Sequence, residues 1–215
     1  MDVIVVAKEP VPGRVKTRLC PPCSPPAAAA LAEAALADTL TAACDSGADR
    51  VVLALDGRPG HWCPPGVVVV EQGTGGLDAR LTRAWTATRG PAFQIGMDTP
   101  QVSAEELDRG MAALVGGEVD AVLGPAADGG WWAIGLRRPH PDVFSGVPTS
   151  RPDTGRRQRE RLAALGLRTR RLGTHTDVDT WSDALAVADR WPDTRFAGAL
   201  QQLTIAHGAW AELAS

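Results

Sequence analysis

The sequence predicts an α/β fold, a mostly parallel central sheet flanked by helices. Three observations predict it. Short unbroken apolar runs such as Val3–Ala7 have the character of strands buried on both faces. Longer segments of helical character separate these runs, as crossover connections require. The turns that follow the apolar runs gather glycine, proline and charge, and open α/β sheets bind their ligands at the carboxyl ends of their strands.

In chain order, Val3–Ala7 is the first strand. Pro25 and Pro26 suit the opening of a helix, and Ala27–Cys44 reads as one, with Leu31, Leu36 and Leu40 as its larger anchors. Strands follow at Arg50–Leu55 and Val67–Val70, with His61–Gly66 a loop between them, and Leu77–Ala87 is helical. Ala92–Met97 is a strand ended by Asp-Thr-Pro. Ser103 is an N-cap, with Glu105 and Glu106 in the first turn of a helix that runs to Val115. Val119–Leu123 and Trp131–Leu136 are strands. Arg156–Leu165 is a helix closed by Gly166, and Leu167–Leu172 alternates like a strand. Trp181–Arg190 and Phe196–Leu213 are the last helices, and residues 1–215 are expected to form one domain.

Composition narrows the function. The chain has 215 residues, 44% hydrophobic, with a formal net charge of -3, so whole-molecule charge suggests neither a nucleic-acid nor a membrane partner. No apolar stretch is expected to approach the roughly 18 residues that span a bilayer, and the N-terminus does not have the pattern of a signal peptide. Cys20 and Cys23 form a C-x-x-C, but Pro21, Pro22, Pro25 and Pro26 make its surroundings a loop, and no second pair completes a zinc site. The four cysteines read as incidental thiols in a cytoplasmic protein.

The most informative stretch is "VAKEPVPGRVKTRL", residues 6–19, where three cations, Arg14, Lys16 and Arg18, gather after the first strand. Val15 stands where a Walker A motif needs glycine, so the P-loop reading fails, and the dinucleotide fingerprint fails as well. A loop held in shape by Pro10, Pro12 and Gly13 can still cradle phosphate oxygens with backbone N–H groups, arginine and lysine. Asp98 in "IGMDTP" follows a buried strand, where it can bind Mg²⁺ or form an Asx turn. In "THTDVDTWSD", Asp177 and Asp179 share a face if extended; they could join Asp98 on a metal, or one could cap the next helix. Asp183 reads as a structural first-turn residue and His175 as an exposed loop histidine. In "LGPAADGGWWAIGL", Gly129 and Gly130 let backbone approach a ligand beside Asp128, and Trp131 and Trp132 face opposite sides of a strand. The basic segment Pro148–Arg161 is either a mobile flap or a solvated face. No G-x-S-x-G and no argued Ser/His/Asp set supports a nucleophilic enzyme.

In this order, "AKEPVPGRVKTRL", "QGTGGLDARL", "IGMDTP", "VLGPAADGGWWAIGL" and "LGTHTDVDTWSD" resemble the DUF2064 family. Its members are small bacterial proteins, often labelled glycosyltransferases and associated with radical-SAM, selenodomain or arsenosugar genes. They are placed in the nucleotide-diphospho-sugar transferase superfamily with the GT-A fold. The resemblance spans residues 3 to about 190 and extends, more distantly, to guanylyltransferases of cofactor synthesis. It implies a nucleotide and phosphate site at Ala7, Lys8, Gly13, Arg14, Lys16, Thr17, Arg18, Gln72 and Arg80. It also implies Mg²⁺ or Mn²⁺ on Asp98, Asp177 and Asp179; catalytic roles for Lys16, Asp98 and Asp128; and an acceptor site at Gly129, Gly130 and Trp131. The chain departs from the family in having Leu77-Asp78 where Leu-Gly is usual and Trp131 where Tyr is usual. The implied partners are a nucleotide sugar or nucleoside triphosphate and a small acceptor. The implied reaction is glycosyl transfer, with nucleotidyl transfer releasing pyrophosphate as the alternative and an inactive nucleotide-binding partner protein as a third reading.

Overall fold

The computed structural model describes residues 1–88 and 90–213, the stretch 206–213 in backbone only. Seven strands lie in chain order at Asp2–Lys8 (β1), Arg50–Asp56 (β2), Val68–Glu71 (β3), Ala92–Gly96 (β4), Ala121–Pro125 (β5), Trp131–Leu136 (β6) and Thr169–Arg171 (β7). The helices are Pro25–Asp45 (α1), Leu77–Thr86 (α2), Ala104–Val115 (α3), Thr154–Ala164 (α4), Trp181–Arg190 (α5) and Arg195–Leu213 (α6). The expected elements are all present, with ends displaced by no more than two residues.

The strands form one sheet in the order β3-β2-β1-β4-β6-β5-β7. β1 pairs in parallel with β2 on one side and β4 on the other, while β6 runs antiparallel to both of its neighbours. The strand order reverses at β1 and β4, so a crevice opens beyond their carboxyl ends. Burial explains the unbroken apolar runs: Val3, Ile4, Val5, Val52, Leu53 and Ala54 are wholly buried, because helices cover both faces.

The helix starts follow local chemistry. Ser24 caps α1 by accepting from the Ala27 N–H, and prolines fill its first two positions, where no intrahelical donor is needed. Ser103 caps α3 from the Glu106 N–H. Thr180 and Asp183 form a reciprocal capping box on α5.

Two expectations need correction. α1 does contain an 18-residue window of mean hydropathy 1.3, long and apolar enough to cross a membrane, although half of that window is buried. Packing explains it: Ala32, Leu36 and Leu40 face the sheet core, while Ala28, Leu31 and Ala35 meet Val187, Phe196 and Leu200 of α5 and α6. A helix sandwiched between two layers is apolar nearly all round. The second correction concerns 148–161, where the helix expected from Arg156 starts at Thr154. Buried Thr154 accepts from the Arg151 N–H and donates to the Pro148 carbonyl, so α4 begins earlier than expected. Buried Gln158 donates to the Val143 carbonyl, and the Gly155 N–H to the Gly129 carbonyl at 2.8 Å.

Candidate active site

The loop after β1 is shaped by two apolar anchors. Val15 sinks into the sheet core, and Leu19, at the end of a short 3-10 turn, into the α1/α5/α6 layer. The residues between and beside them are left facing outward: Arg14, Thr17 and Arg18 are exposed. Lys16 is different. It adopts the left-handed conformation, φ 47°, which is uncommon for a residue with a side chain. That conformation turns its side chain inward, where only 8% is exposed.

There the Lys16 ammonium meets Asp98 Oδ1 at 2.5 Å and Asp179 Oδ1 at 3.6 Å, and it donates to the Val178 carbonyl. Burial opposes its charge, but Asp98, Asp179 and Asp177 together outweigh burial and raise its pKa above the ordinary lysine value. Arg18 Nη1 reaches Asp179 Oδ2 at 3.1 Å. Backbone bonds fix the two acidic segments together. The Val178 N–H donates to the Asp98 carbonyl at 2.8 Å, and Gln101 Nε2 to the Thr176 carbonyl at 2.8 Å.

Asp177 carries the most perturbed carboxyl. Burial first, then the charges of Asp98, Asp128 and Asp179, push its pKa up to about 7, against the opposing pull of Lys16. Its Oδ1 is buried without a hydrogen-bond partner. Just upstream, His175 is not the exposed loop residue expected. Its side chain is 11% exposed, pairs with Glu106 Oε1 at 2.8 Å and packs edge-on against Trp132 at 4.7 Å.

Lys16, Arg18, Asp98, Asp177 and Asp179 line a cavity of about 950 Å³ at the sheet's switch point. Ala7, Lys8, Arg14, Lys16, Thr17, Arg18, Gln72, Arg80, Asp98, Asp128, Gly130, Trp131, Asp177 and Asp179 all border it. Gly13 and Gly129 do not. Gly13 turns the loop at φ +77°, and Gly129 lies against Pro152, whose carbonyl a β-carbon at 129 would meet at 1.9 Å. Asp128 Oδ1 accepts from the Gly130 N–H at 2.8 Å, an Asx turn that leaves Oδ2 for other partners. Gln72 is a structural brace: its Nε2 donates to the carbonyls of Ala7 and Ala54, and its Oε1 accepts from Arg80, which also reaches Asp56. A bulge between Gly124 and Pro125 breaks strict alternation in β6, so Trp132 is core, 2% exposed, while Trp131 stacks on Phe144 at the cavity wall.

The cavity wall also holds Gln94 and Thr99, which the sequence reading overlooked, and Thr149–Arg151 from the start of the basic segment 148–161. Thr99 was legible as part of "DTP"; its buried Oγ1 has no partner. Gln94 could have been found as the one polar residue inside the apolar run of β4.

A family model described as "Uncharacterized protein conserved in bacteria (DUF2064)" matches residues 27–151. The chain belongs to the DUF2064 family. That match takes in Gln72, Arg80, Asp98 and Asp128 of the DUF2064 cavity, while the Lys16 loop and the Asp177–Asp179 segment lie outside it. No curated protein matches the sequence. Solved structures share the fold. A Desulfovibrio desulfuricans G20 protein described, provisionally, as a nucleotide-diphospho-sugar transferase is 24% identical over 94% of both chains, with a TM-score of 0.83. CMP:2-keto-3-deoxy-manno-octonic acid synthetase in complex with CTP is 12% identical over 88% of this chain and 97% of its own, with a TM-score of 0.57. Rv0371C of Mycobacterium tuberculosis H37Rv in complex with manganese is 19% identical over 87% of this chain and 98% of its own, with a TM-score of 0.52. The fold of the DUF2064 chain is thus that of nucleotide-sugar transferase-like proteins and nucleotidyltransferases.

Proposed function

We propose that the protein is a divalent-metal-dependent transferase of an activated nucleotide, with its phosphates held at the Lys16 loop. One observation carries the reading: the basic loop after β1 and the carboxylates after β4 and β7 converge on a single cavity, tied by Lys16. Arg14, Lys8 and Arg18 supply phosphate partners on its rim, Arg as a fork and Lys as a point charge.

The residues fit Mg²⁺ or Mn²⁺ as a site shared with the nucleotide. Mg²⁺ takes hard oxygens and needs only one or two carboxylates beside phosphate oxygens and water. Asp98 and Asp177 would hold it, the latter through its unpartnered buried Oδ1. Asp179 is already engaged by Arg18 and Lys16, and among the described residues no group of three His, Cys, Asp or Glu makes a complete metal cage. When bound, the ion would neutralise charge developing on phosphate oxygens.

The reaction we assign is glycosyl transfer: an acceptor oxygen bonds to the sugar carbon, and the nucleoside diphosphate leaves with the pair from the broken C–O bond. The likeness to the Desulfovibrio protein supports this form. Asp128, at the cavity wall with one oxygen uncommitted to the backbone, would orient the acceptor hydroxyl and take up its proton. Lys16 and Arg18 would stabilise the leaving diphosphate. The likeness to a synthetase in complex with CTP supports a second form, in which an acceptor oxygen attacks the α-phosphorus and pyrophosphate leaves.

Thermal shift with nucleotide sugars and nucleoside triphosphates, each with and without Mn²⁺, tests the reading. At least one nucleotide should stabilise the protein only with the ion, and Asp98→Asn should keep the fold and lose that shift. No stabilisation by any nucleotide, or a full ion-dependent shift in the variant, would overturn it.

A further inference from the structure

Two glutamines are buried on the cavity, and they are used differently. Gln72 spends its whole amide on the protein, as described above. Gln94, on β4, is 1% exposed and sits between Ile4 of β1 and Ile134 of β6. Its Oε1 accepts from Trp85 Nε1 at 2.7 Å. An indole N–H can only donate, so the amide oxygen must be the atom that meets Trp85, and the amine faces away from it. Among the described residues nothing accepts from that amine, and Gln94 lines the cavity. The amine is not closed off in the core but opens on the cavity, so its donors are free for an acceptor bound there.

The surroundings limit what that acceptor belongs to. Trp85 packs on Phe144 with ring centroids 6.3 Å apart, and Phe144 stacks on Trp131 at 6.1 Å and 20°. Trp131 presents its ring at the cavity wall, with Leu81 of α2 also lining the cavity. Gln72 reaches the backbone of β1 and β2, whereas Gln94 and Trp131 stand on β4 and β6, on the other side of β1. If the nucleotide's phosphates lie at Lys16 and its nucleoside toward Gln72, its transferable group lies toward Gln94.

We propose that Gln94 is a specificity-determining residue, which with Trp131 selects a polyhydroxylated ring as the group carried on the nucleotide. The ring's C–H face lies on the Trp131 indole, and one of its oxygens accepts from Gln94 Nε2. A donor-only amine backed by an aromatic wall suits a sugar, whose oxygens all accept and whose ring face is apolar. Trp85 acts as the positioning residue that fixes which end of the amide is offered. This assignment rests on the nucleotide-transferase reading, and the test separates the two.

Isothermal titration of the full chain with Mn²⁺ present compares UDP, GDP and ADP with UDP-glucose, GDP-mannose and ADP-glucose. At least one conjugate should bind more tightly than its own diphosphate. Gln94→Met should reduce that sugar-dependent gain by about three- to tenfold, the worth of one neutral hydrogen bond, with affinity for the diphosphate unchanged. In the native protein, the side-chain amide resonance of Gln94 should move with the conjugate and not with the diphosphate, a readout that does not depend on the variant folding. Absence of any gain, a gain unchanged in Gln94→Met, or a resonance that ignores the sugar would overturn the role of Gln94. Failure of every nucleotide to bind would instead overturn the transferase reading.

Discussion

Replacing Lys16 by Met removes the ammonium that faces the carboxylates from inside the fold, while its four-carbon stem is largely replaced. In the native protein the ammonium stands 2.5 Å from Asp98 and 3.6 Å from Asp179 and donates to the Val178 carbonyl. Breaking a fully buried pair from one side costs about 3–5 kcal/mol, whereas an exposed pair is worth up to about 1 kcal/mol. Lys16 is 8% exposed, but Asp98 is 42% and Asp179 41% exposed, so water can take over part of what the ammonium gave. The expected loss lies between the two limits, about 1–3 kcal/mol in urea denaturation. A double-mutant cycle with Asp98→Asn should show a coupling of about 1 kcal/mol, because a neutral amide in place of the carboxylate no longer needs the cation. Nucleotide affinity should fall about ten- to a hundredfold, the worth of one charge-assisted bond. If Lys16→Met is as stable as the parent, and the two substitutions add within about 0.5 kcal/mol, Lys16 holds no carboxylate and the electrostatic account of the site fails.

Two further outcomes follow from groups outside the carboxylate cluster. Asp120 has its pKa held at about 2, below its ordinary 3.8, first by hydrogen bonds from Arg168 and then by the Arg168 and Arg137 charges. A depressed carboxyl stabilises the fold above its unfolded pKa and loses that contribution as pH falls through the folded one. Asp120→Asn should therefore lower the melting temperature at pH 7, with the gap closing toward pH 2; a gap that persists at pH 2 would refute the linkage. Trp132→Ala should cost about 3–5 kcal/mol in denaturation, since its ring meets Phe93 and His175 and its Nε1 binds the Gly173 carbonyl. Trp131→Ala should cost clearly less, and equal losses would show that the cavity-wall placement of Trp131 is wrong.

The sheet was legible because its signal is local: an unbroken run such as Val3–Ala7 can be recognised without knowing its neighbours. The cation loop and Asp98 were legible for the same reason, as both follow such runs. What stayed hidden needed distance. The Lys16 partners lie 82 and 163 residues away at Asp98 and Asp179, a separation that no spacing rule reaches. Gly129 read as a ligand-facing glycine, yet the backbone it makes room for is Pro152, brought over by α4. His175 read as exposed because the sequence does not show Trp132 and Glu106 arriving on its two sides. Arg156 and Arg157 fell in a segment that read as either a flap or a solvated face, and the sequence did not show Asp153, at the start of α4, pairing with both.

The same long-range ties explain why the strained Lys16 backbone persists. A left-handed residue with a side chain costs on the order of 1 kcal/mol or more and survives only where its surroundings over-determine it. Val15 and Leu19 pin the loop on either side in two different core layers, so the chain between them has little freedom. The Asp98 and Val178 backbones are bonded to each other, and Gln101 clamps Thr176, so the oxygens that Lys16 meets cannot move apart independently. Burial first, and then the neighbouring carboxylates held in place by this scaffold, push the Asp177 carboxyl toward its neutral form even with an ammonium nearby. A site built in this way responds to charge: adding a cation or an anionic ligand changes the balance among groups whose positions are already fixed. Substitutions at Gln101 or Val15 should therefore act on the site through its geometry, although neither carries charge.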